Sequence, residues 1–189
     1  MYQERIPKDE YRELAEEFNP SNYDPEEWVK LAKRAGMKYM VLTTRHHDGF
    51  SLFDSKVSIF TASKTASGRD LIRDYVEALR EHNMRVGFYY SLLDWRYEAY
   101  FLGPKKDPRG WKELIDYAHA QVREIMTNYD KIDVLFYDGG WPYTAEDWES
   151  KRLNEMVRKL QPDIVINNRS LLPEDYETPE QYVPGAFPN

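Results

Sequence analysis

The chain of 189 residues is long enough for one folded domain with a real core, and its 26 Lys+Arg against 33 Asp+Glu give a formal net charge of −7. That balance lacks the basic footprint of a nucleic-acid binder, and the lack of cysteine excludes disulfides and thiol chemistry. No apolar run approaches the ~20 residues of a membrane span, and Met1-Tyr2-Gln3-Glu4-Arg5 lacks the apolar core of a signal peptide, so the expectation is a soluble protein, cytoplasmic if Met1 is the native start.

Lys8 to Glu17 places Tyr11, Leu14, Ala15 and Phe18 at helical spacing, which predicts a short amphipathic helix. Asp24-Pro25-Glu26-Glu27 opens a second, with an N-cap acid, proline in the first turn and acids near the positive end of the dipole; Gly36 ends it. Tyr39-Met40-Val41-Leu42 reads as a strand that runs into Arg45-His46-His47-Asp48-Gly49-Phe50. The polar, irregular connection from Ser51 to Gly68 predicts a functional loop. A helix over about Asp70 to His82 gathers Leu71, Ile72, Tyr75, Val76 and Leu79 on one face, and Arg85 to Ser91 forms the next strand.

A Gly/Pro-marked loop reaches Gly110, and a long helix is expected from about Trp111 to Asn128. Lys131 to Asp138 is then a mainly apolar run ending in one carboxylate before Gly139-Gly140, a buried strand that delivers an acid to a sharp turn. Thr144 and Asp147 resemble a capping box, with helix continuing to about Leu160. After Pro162, Ile164 to Arg169 is the fourth predicted strand, and the proline-bearing tail from Leu171 holds no clear element. This recurrence of strand, polar loop and helix is the pattern of βαβ units, an α/β fold of parallel strands with right-handed crossovers.

Ligands bind beyond the carboxyl ends of parallel strands, so Asp138 is a catalytic candidate by position, with a turn-capping acid as the alternative. Phe136 shares strand parity with Val134 and Asp138, and Tyr89 with Gly87 and Ser91; if those sides face the inside of a barrel, the two rings and Asp138 converge near its mouth, and otherwise the rings fill a core. His46 and His47 are candidate metal ligands, hydrogen bonders or structural residues. Adjacent strand residues face opposite ways and no third ligand accompanies them at a fixed spacing, which disfavours a metal. Asn167-Asn168-Arg169 offers donors for hydroxyls or a carboxylate, the alternative being a surface arginine paired with a helix acid. Glu180 carries no signal by its spacing alone. Carboxylates, rings and neutral hydrogen bonders together make the toolkit of a glycosidase, whose retaining form needs two carboxyl groups about 5–5.5 Å apart. A phosphate-binding open sheet finds little support, because no Gly-rich loop opens a helix.

Asp24-Pro25-Glu26-Glu27-Trp28, the stretch Gly36 to Phe50 with Thr44-Arg45-His46-His47-Asp48-Gly49-Phe50, Gly87-Phe88-Tyr89-Tyr90-Ser91, Asp133 to Gly139 and Ile166-Asn167-Asn168-Arg169 together resemble α-L-fucosidases of glycoside hydrolase family 29 over nearly the whole chain. The resemblance implies a (β/α)8 TIM-like barrel and retaining hydrolysis of terminal α-L-fucose from fucosylated glycans, without metal or other cofactor. It casts Asp138 as nucleophile and Glu180 as acid/base, with His46, His47, Tyr89 and Arg169 contacting the sugar and Phe136 standing where many relatives have Trp. Relatives begin the barrel with a strand ending in a His-Trp-Gly motif, which is missing here, and continue past the position of Asn189. The expectation is therefore a partial barrel of about four βα units, residues 1–189 forming a single incomplete catalytic segment with two unpaired sheet edges. Such a segment is expected either to hydrolyse fucosides, or to bind sugar or assemble with itself or a complementary chain without activity.

Overall fold

The computed structural model describes residues 5–181. Its frame is a four-stranded parallel sheet in the order β1-β2-β3-β4, formed by Tyr39–Arg45, Arg85–Ser91, Val134–Asp138 and Val165–Ile166. Helices Lys8–Glu17 (α1) and Pro25–Arg34 (α2) precede β1, and Leu71–Glu81 (α3) joins β1 to β2. Glu98–Leu102 (α4) and Pro108–Thr127 (α5) lie between β2 and β3, and Ser150–Leu160 (α6) leads to β4. The sheet is an arc of a (β/α) barrel, with each strand laid beside the one before it in sequence. Residues 182–189 of the proline-bearing tail lie outside the described residues.

Local chemistry sets the helix starts. Asp24 accepts from the backbone N–H groups of Glu26 and Glu27, Asp70 from that of Arg73 and Asp107 from that of Gly110, and prolines 25 and 108 occupy first-turn positions whose N–H would be unpaired anyway. The Asp107-Pro108 pair starts α5 three residues before the expected Trp111. Thr144 and Asp147 do exchange the reciprocal bonds of a capping box, Asp147 N–H to Thr144 Oγ1 at 3.2 Å and Thr144 N–H to Asp147 Oδ2 at 3.0 Å. They close a separate turn, however, because Glu149 sits at φ 52° and interrupts the helical run before Ser150.

The two faces of the sheet differ in kind. Val86, Phe88, Tyr90, Leu135, Tyr137 and Ile166 point one way and are fully buried against Leu71, Ile72, Val76 and Leu79 of α3 and Leu114, Ile115, Ala118 and Val122 of α5. The opposite face carries Tyr89, Phe136 and Asp138 toward the strand ends, and below them Tyr39 at 52%, Val41 at 38% and Val165 at 40% remain exposed. Alternation therefore sends the apolar core to the helix side and the polar candidates to the other.

Two strands depart from the expected pattern. In β1 the register slips between Thr43 and Arg45, so that Arg45 pairs with Tyr90 and its side chain joins the helix side. There the guanidinium is completely buried. It donates to the Tyr90 hydroxyl, to Gln121 Oε1 at 3.2 Å and to the Leu93 carbonyl at 2.6 Å, and lies 3.4 Å from an equally buried Asp94. Arg96 adds a forked contact to the same carboxylate, and the net effect of burial, which opposes ionisation, and of the two guanidiniums, which favour it, is a lowered Asp94 pKa. The fourth strand is shorter than expected. At Asn167 the side-chain amide takes over the ladder, accepting from Tyr137 N–H at 2.8 Å and donating to Tyr137 O at 2.9 Å, so the backbone is released into a 3₁₀ turn at Asn168–Ser170.

Substituting Asp94→Asn strands Arg45 as a buried charge with weakened compensation and is expected to destabilise the fold by about 3–5 kcal/mol. Urea unfolding midpoints read this directly, and a variant as stable as the wild type would remove the ion pair from the account of the fold.

Candidate active site

The carboxyl ends of β1, β2 and β3 converge with the segment that follows β4. Asp138 ends β3, and Gly139 beyond it has φ 71° with so little room that a Cβ would stand 2.9 Å from Leu93 Cδ2 and 3.0 Å from Ser91 Oγ. The next turn is tied down by Trp148, whose Nε1–H donates to Gly140 O at 2.6 Å. Asp138 Oδ2 accepts from the Tyr89 hydroxyl at 2.6 Å, and Oδ1 accepts from Arg169 Nη1 at 2.9 Å. Burial pushes the Asp138 carboxyl up, but the Tyr89 and Arg169 bonds and the Gly139 N–H outweigh it, and the net direction is down. Burial and the same carboxylate push the Tyr89 phenol well up, so Tyr89 remains a protonated donor.

Arg169 has a carboxylate on each Nη: Asp138 on one side and Glu180 Oε2 at 2.5 Å on the other. Its Nε–H donates to Thr178 Oγ1 at 2.8 Å and its Nη2 to Thr178 O at 3.0 Å. The chain from Glu174 to Glu180 is laid against the end of β4 by Asp175 N–H to Ile166 O, Asn168 N–H to Tyr176 O and Thr178 N–H to Asn168 Oδ1. These bonds bring Glu180 to the site, although its side chain is 69% exposed. The Arg169 guanidinium also sits 5.7 Å over the Phe136 ring, and Phe136 stacks on Tyr89 at 5.6 Å.

His46 and His47 lie just past β1, where strand alternation no longer applies. Their rings are 4.0 Å apart and both reach the mouth, in contrast to the opposed orientation expected of neighbours in a strand. His46 stacks parallel to Tyr89 at 5.6 Å; His47 is packed edge-on by Trp95 and Trp141 and makes a 2.7 Å bond through Nδ1 to Ser91 Oγ. Burial, then the charge that His46 would carry, pushes the His47 imidazole down to about 4, so it is neutral across the neutral pH range. The loop is clamped to the buried ion pair below it. Trp95 N–H donates to His47 O at 2.8 Å, and Gly49, at φ 82°, passes so close that a Cβ would stand 2.3 Å from Arg96 Nε.

One ligand atom each from His46, His47 and Asp138 lies within 4.8 Å of the others, a trio that strand alternation had hidden. As a cation site it is compromised by the Arg169 charge 2.9 Å from Asp138 and by the engagement of His47 Nδ1 with Ser91. The arrangement instead suits a neutral polyhydroxylated ligand: one ionised carboxylate, a second on the rim, the neutral His47 imidazole and a guanidinium.

His47, Asp138, Arg169 and Glu180 line a single cleft of about 580 Å³, within the usual range for small-molecule sites, together with Trp141, Asn168, Leu171 and Thr178. Tyr89, Phe136 and His46 flank it through the contacts given above. Trp141 and Thr178 have no assigned role in the sequence reading. Trp141, three residues after Asp138 and 49% exposed, is the one that a search for aromatic rings just beyond the candidate acid would have found. Among the described residues, no helix is long and apolar enough to cross a membrane.

The α-L-fucosidase family model matches residues 1–189. Tissue alpha-L-fucosidase of Macaca fascicularis is 34% identical over 169 residues, covering 86% of this chain and 36% of that protein. Alpha-L-fucosidase isoenzyme 1 from Paenibacillus thiaminolyticus superposes with a TM-score of 0.84 at 42% identity over 96% of this chain and 48% of that one. A family 29 α-L-fucosidase from Bacteroides thetaiotaomicron, described as a trapped covalent intermediate with 2-fluoro-fucosyl fluoride, superposes with a TM-score of 0.83 at 29% identity over 93% and 42% of the two chains. The chain thus spans less than half the length of each of these three proteins. With a family match along its full length and a close superposition of its four-stranded arc, this chain belongs to the α-L-fucosidase family.

Proposed function

We propose that residues 1–189 form one incomplete catalytic barrel segment that hydrolyses terminal α-L-fucose from fucosylated glycans with retention of configuration. The observation that carries this reading is Asp138, a carboxylate held ionised at a strand end by Tyr89 and Arg169 and open to a cleft shared with Glu180. In the first step an Asp138 oxygen bonds to the anomeric carbon, the glycosidic C–O bond breaks, and the Glu180 proton passes to the departing oxygen. In the second, water attacks the same carbon, Glu180 takes its proton, and the bond to Asp138 breaks. The two inversions give retention. The covalent intermediate described for the Bacteroides relative supports this route by analogy. His46, His47 and Arg169 bind the hydroxyls, and Phe136 gives Tyr89 and Arg169 an apolar surface to rest on.

A second reading is favoured by the exposed face at Tyr39, Val41 and Val165: the segment binds sugar without turnover, or works only when associated with itself or a complementary chain that covers this face. Light scattering decides between a monomer and an assembly, and activity that rises with concentration across the same range would assign turnover to the assembly.

Incubation with a 2-fluoro-fucosyl fluoride is expected to add one fluorofucosyl mass on Asp138, and Asp138→Asn is expected to lower aryl α-L-fucoside hydrolysis by about a thousandfold or more. Labelling elsewhere with Asp138 untouched would exclude it as nucleophile. Glu180→Gln is expected to spare substrates with good leaving groups relative to natural glycosides, since only the latter need a proton; equal losses on both would deny it the acid role.

Tyr89→Phe removes the bond that does most to hold Asp138 ionised, so the Asp138 pKa rises. Because the ionised form is the nucleophile, the acid limb of kcat/KM is expected to move to higher pH, with a loss of about tenfold or more at neutral pH. An unshifted acid limb would show that Asp138 does not control it.

A further inference from the structure

We propose that Ser91 fixes the His47 ring as the tautomer with its proton on Nδ1, so that Nε2 presents a lone pair to the cleft and selects a ligand hydroxyl that donates. Ser91 is thus a positioning residue, and its consequence for sugar recognition rests on the fucoside reading above. The assignment follows from counting protons. Ser91 Oγ lies 2.7 Å from His47 Nδ1 and 3.0 Å from the Leu93 carbonyl oxygen. A carbonyl only accepts, and the serine hydroxyl has one proton to give. If that proton went to His47, two oxygens would face each other at 3.0 Å with no hydrogen between them. Both contacts are hydrogen bonds only when Nδ1–H donates to Ser91 Oγ and the Ser91 O–H donates to Leu93.

The surroundings hold this arrangement in place. The Leu93 carbonyl also accepts from Arg45 Nη2 at 2.6 Å, and Arg45 is anchored in turn by the buried Asp94, so the acceptor at the end of the chain cannot turn away. Ser91 is fully buried at the end of β2, in register with Asp138, and Gly139 packs over its hydroxyl. Trp95 and Trp141 flank the imidazole edge-on. A run of bonds therefore leads from a buried cation to the site: Arg45, Leu93 carbonyl, Ser91 hydroxyl, His47 ring. Its product is an acceptor in the cleft, complementary to the guanidinium donors of Arg169. A ligand with only carbonyl or carboxylate oxygens at that position would meet a lone pair and be rejected.

The experiment is long-range ¹H–¹⁵N correlation NMR of the histidine rings in the full ¹⁵N-labelled chain near pH 7, with His47 assigned by loss of its signals in His47→Gln. Protonated Nδ1 and unprotonated Nε2 are expected in the wild type, with the pattern averaged or reversed in Ser91→Ala and retained in Ser91→Thr. The opposite tautomer in the wild type overturns the proposal, and so does a wild-type pattern that survives in folded Ser91→Ala. If Ser91→Ala fails to fold, the wild-type spectrum alone decides. In parallel, titration with fucose is expected to show roughly five- to tenfold weaker binding to Ser91→Ala. The expected tautomer without fucose binding would defeat the fucoside reading and leave the role of Ser91 standing; fucose binding with the opposite tautomer would do the reverse.

Discussion

The site depends on a buried ion pair set outside the lining of the cleft. Arg45 and Asp94 are both completely buried, and two charges out of water lose several kcal/mol of solvation each unless their bonds are nearly all satisfied. Here the Tyr90 hydroxyl, Gln121, the Leu93 carbonyl and Arg96 supply those bonds, drawn from β2, α5 and the loop after β2. Such a pair is poor evidence for stability but good evidence for specification, because each partner is tolerated only in one geometry. What it specifies is the relation between two loops. His47 rides on one, and Trp95 and Arg96 on the other, with Gly49 passing where no side chain fits.

A second cation organises the two carboxylates of the cleft. Arg169 stands between Asp138 and Glu180 with Phe136 beneath it, so a single planar fork sets the bearing of both carboxylates. A lysine in its place would supply charge but not the two divergent contacts. Thr178 fixes the guanidinium from behind through its hydroxyl and carbonyl, which makes the short stretch after β4 part of the cleft despite its lack of regular structure. The two carboxylates that Arg169 joins differ in environment, Glu180 exposed on the rim and Asp138 half-buried at the strand end.

Much of this was legible in the residues. Alternation in Val134–Asp138 placed Phe136 and Asp138 on one face, and Asp24-Pro25 marked the start of α2, because both depend on local geometry. Three features were not legible, each for a long-range reason. The register slip in β1 depends on what Arg45 finds across the sheet, and because the strand ends at Arg45 the adjacent histidines beyond it need not diverge. The early end of β4 depends on Asn167 replacing the ladder with its side chain. Ser91 and Arg45 look like an ordinary strand-end serine and a surface base, and their connection through the Leu93 carbonyl exists only once β1 and β2 are side by side.

The groups assigned to chemistry come from three neighbouring strands and one following segment, so their relative positions need only the pairings β1–β2, β2–β3 and β3–β4 and the pinned 174–180 stretch. Further barrel strands would leave those pairings unchanged. They would instead cover Tyr39, Val41 and Val165 on the open face and remove water from behind the cleft. Lower local polarity strengthens the attraction of Arg169 for the two carboxylates it holds. Geometry and dielectric are therefore separable contributions at this cleft: the first resides in the arc formed here, and the second in whatever covers its open face.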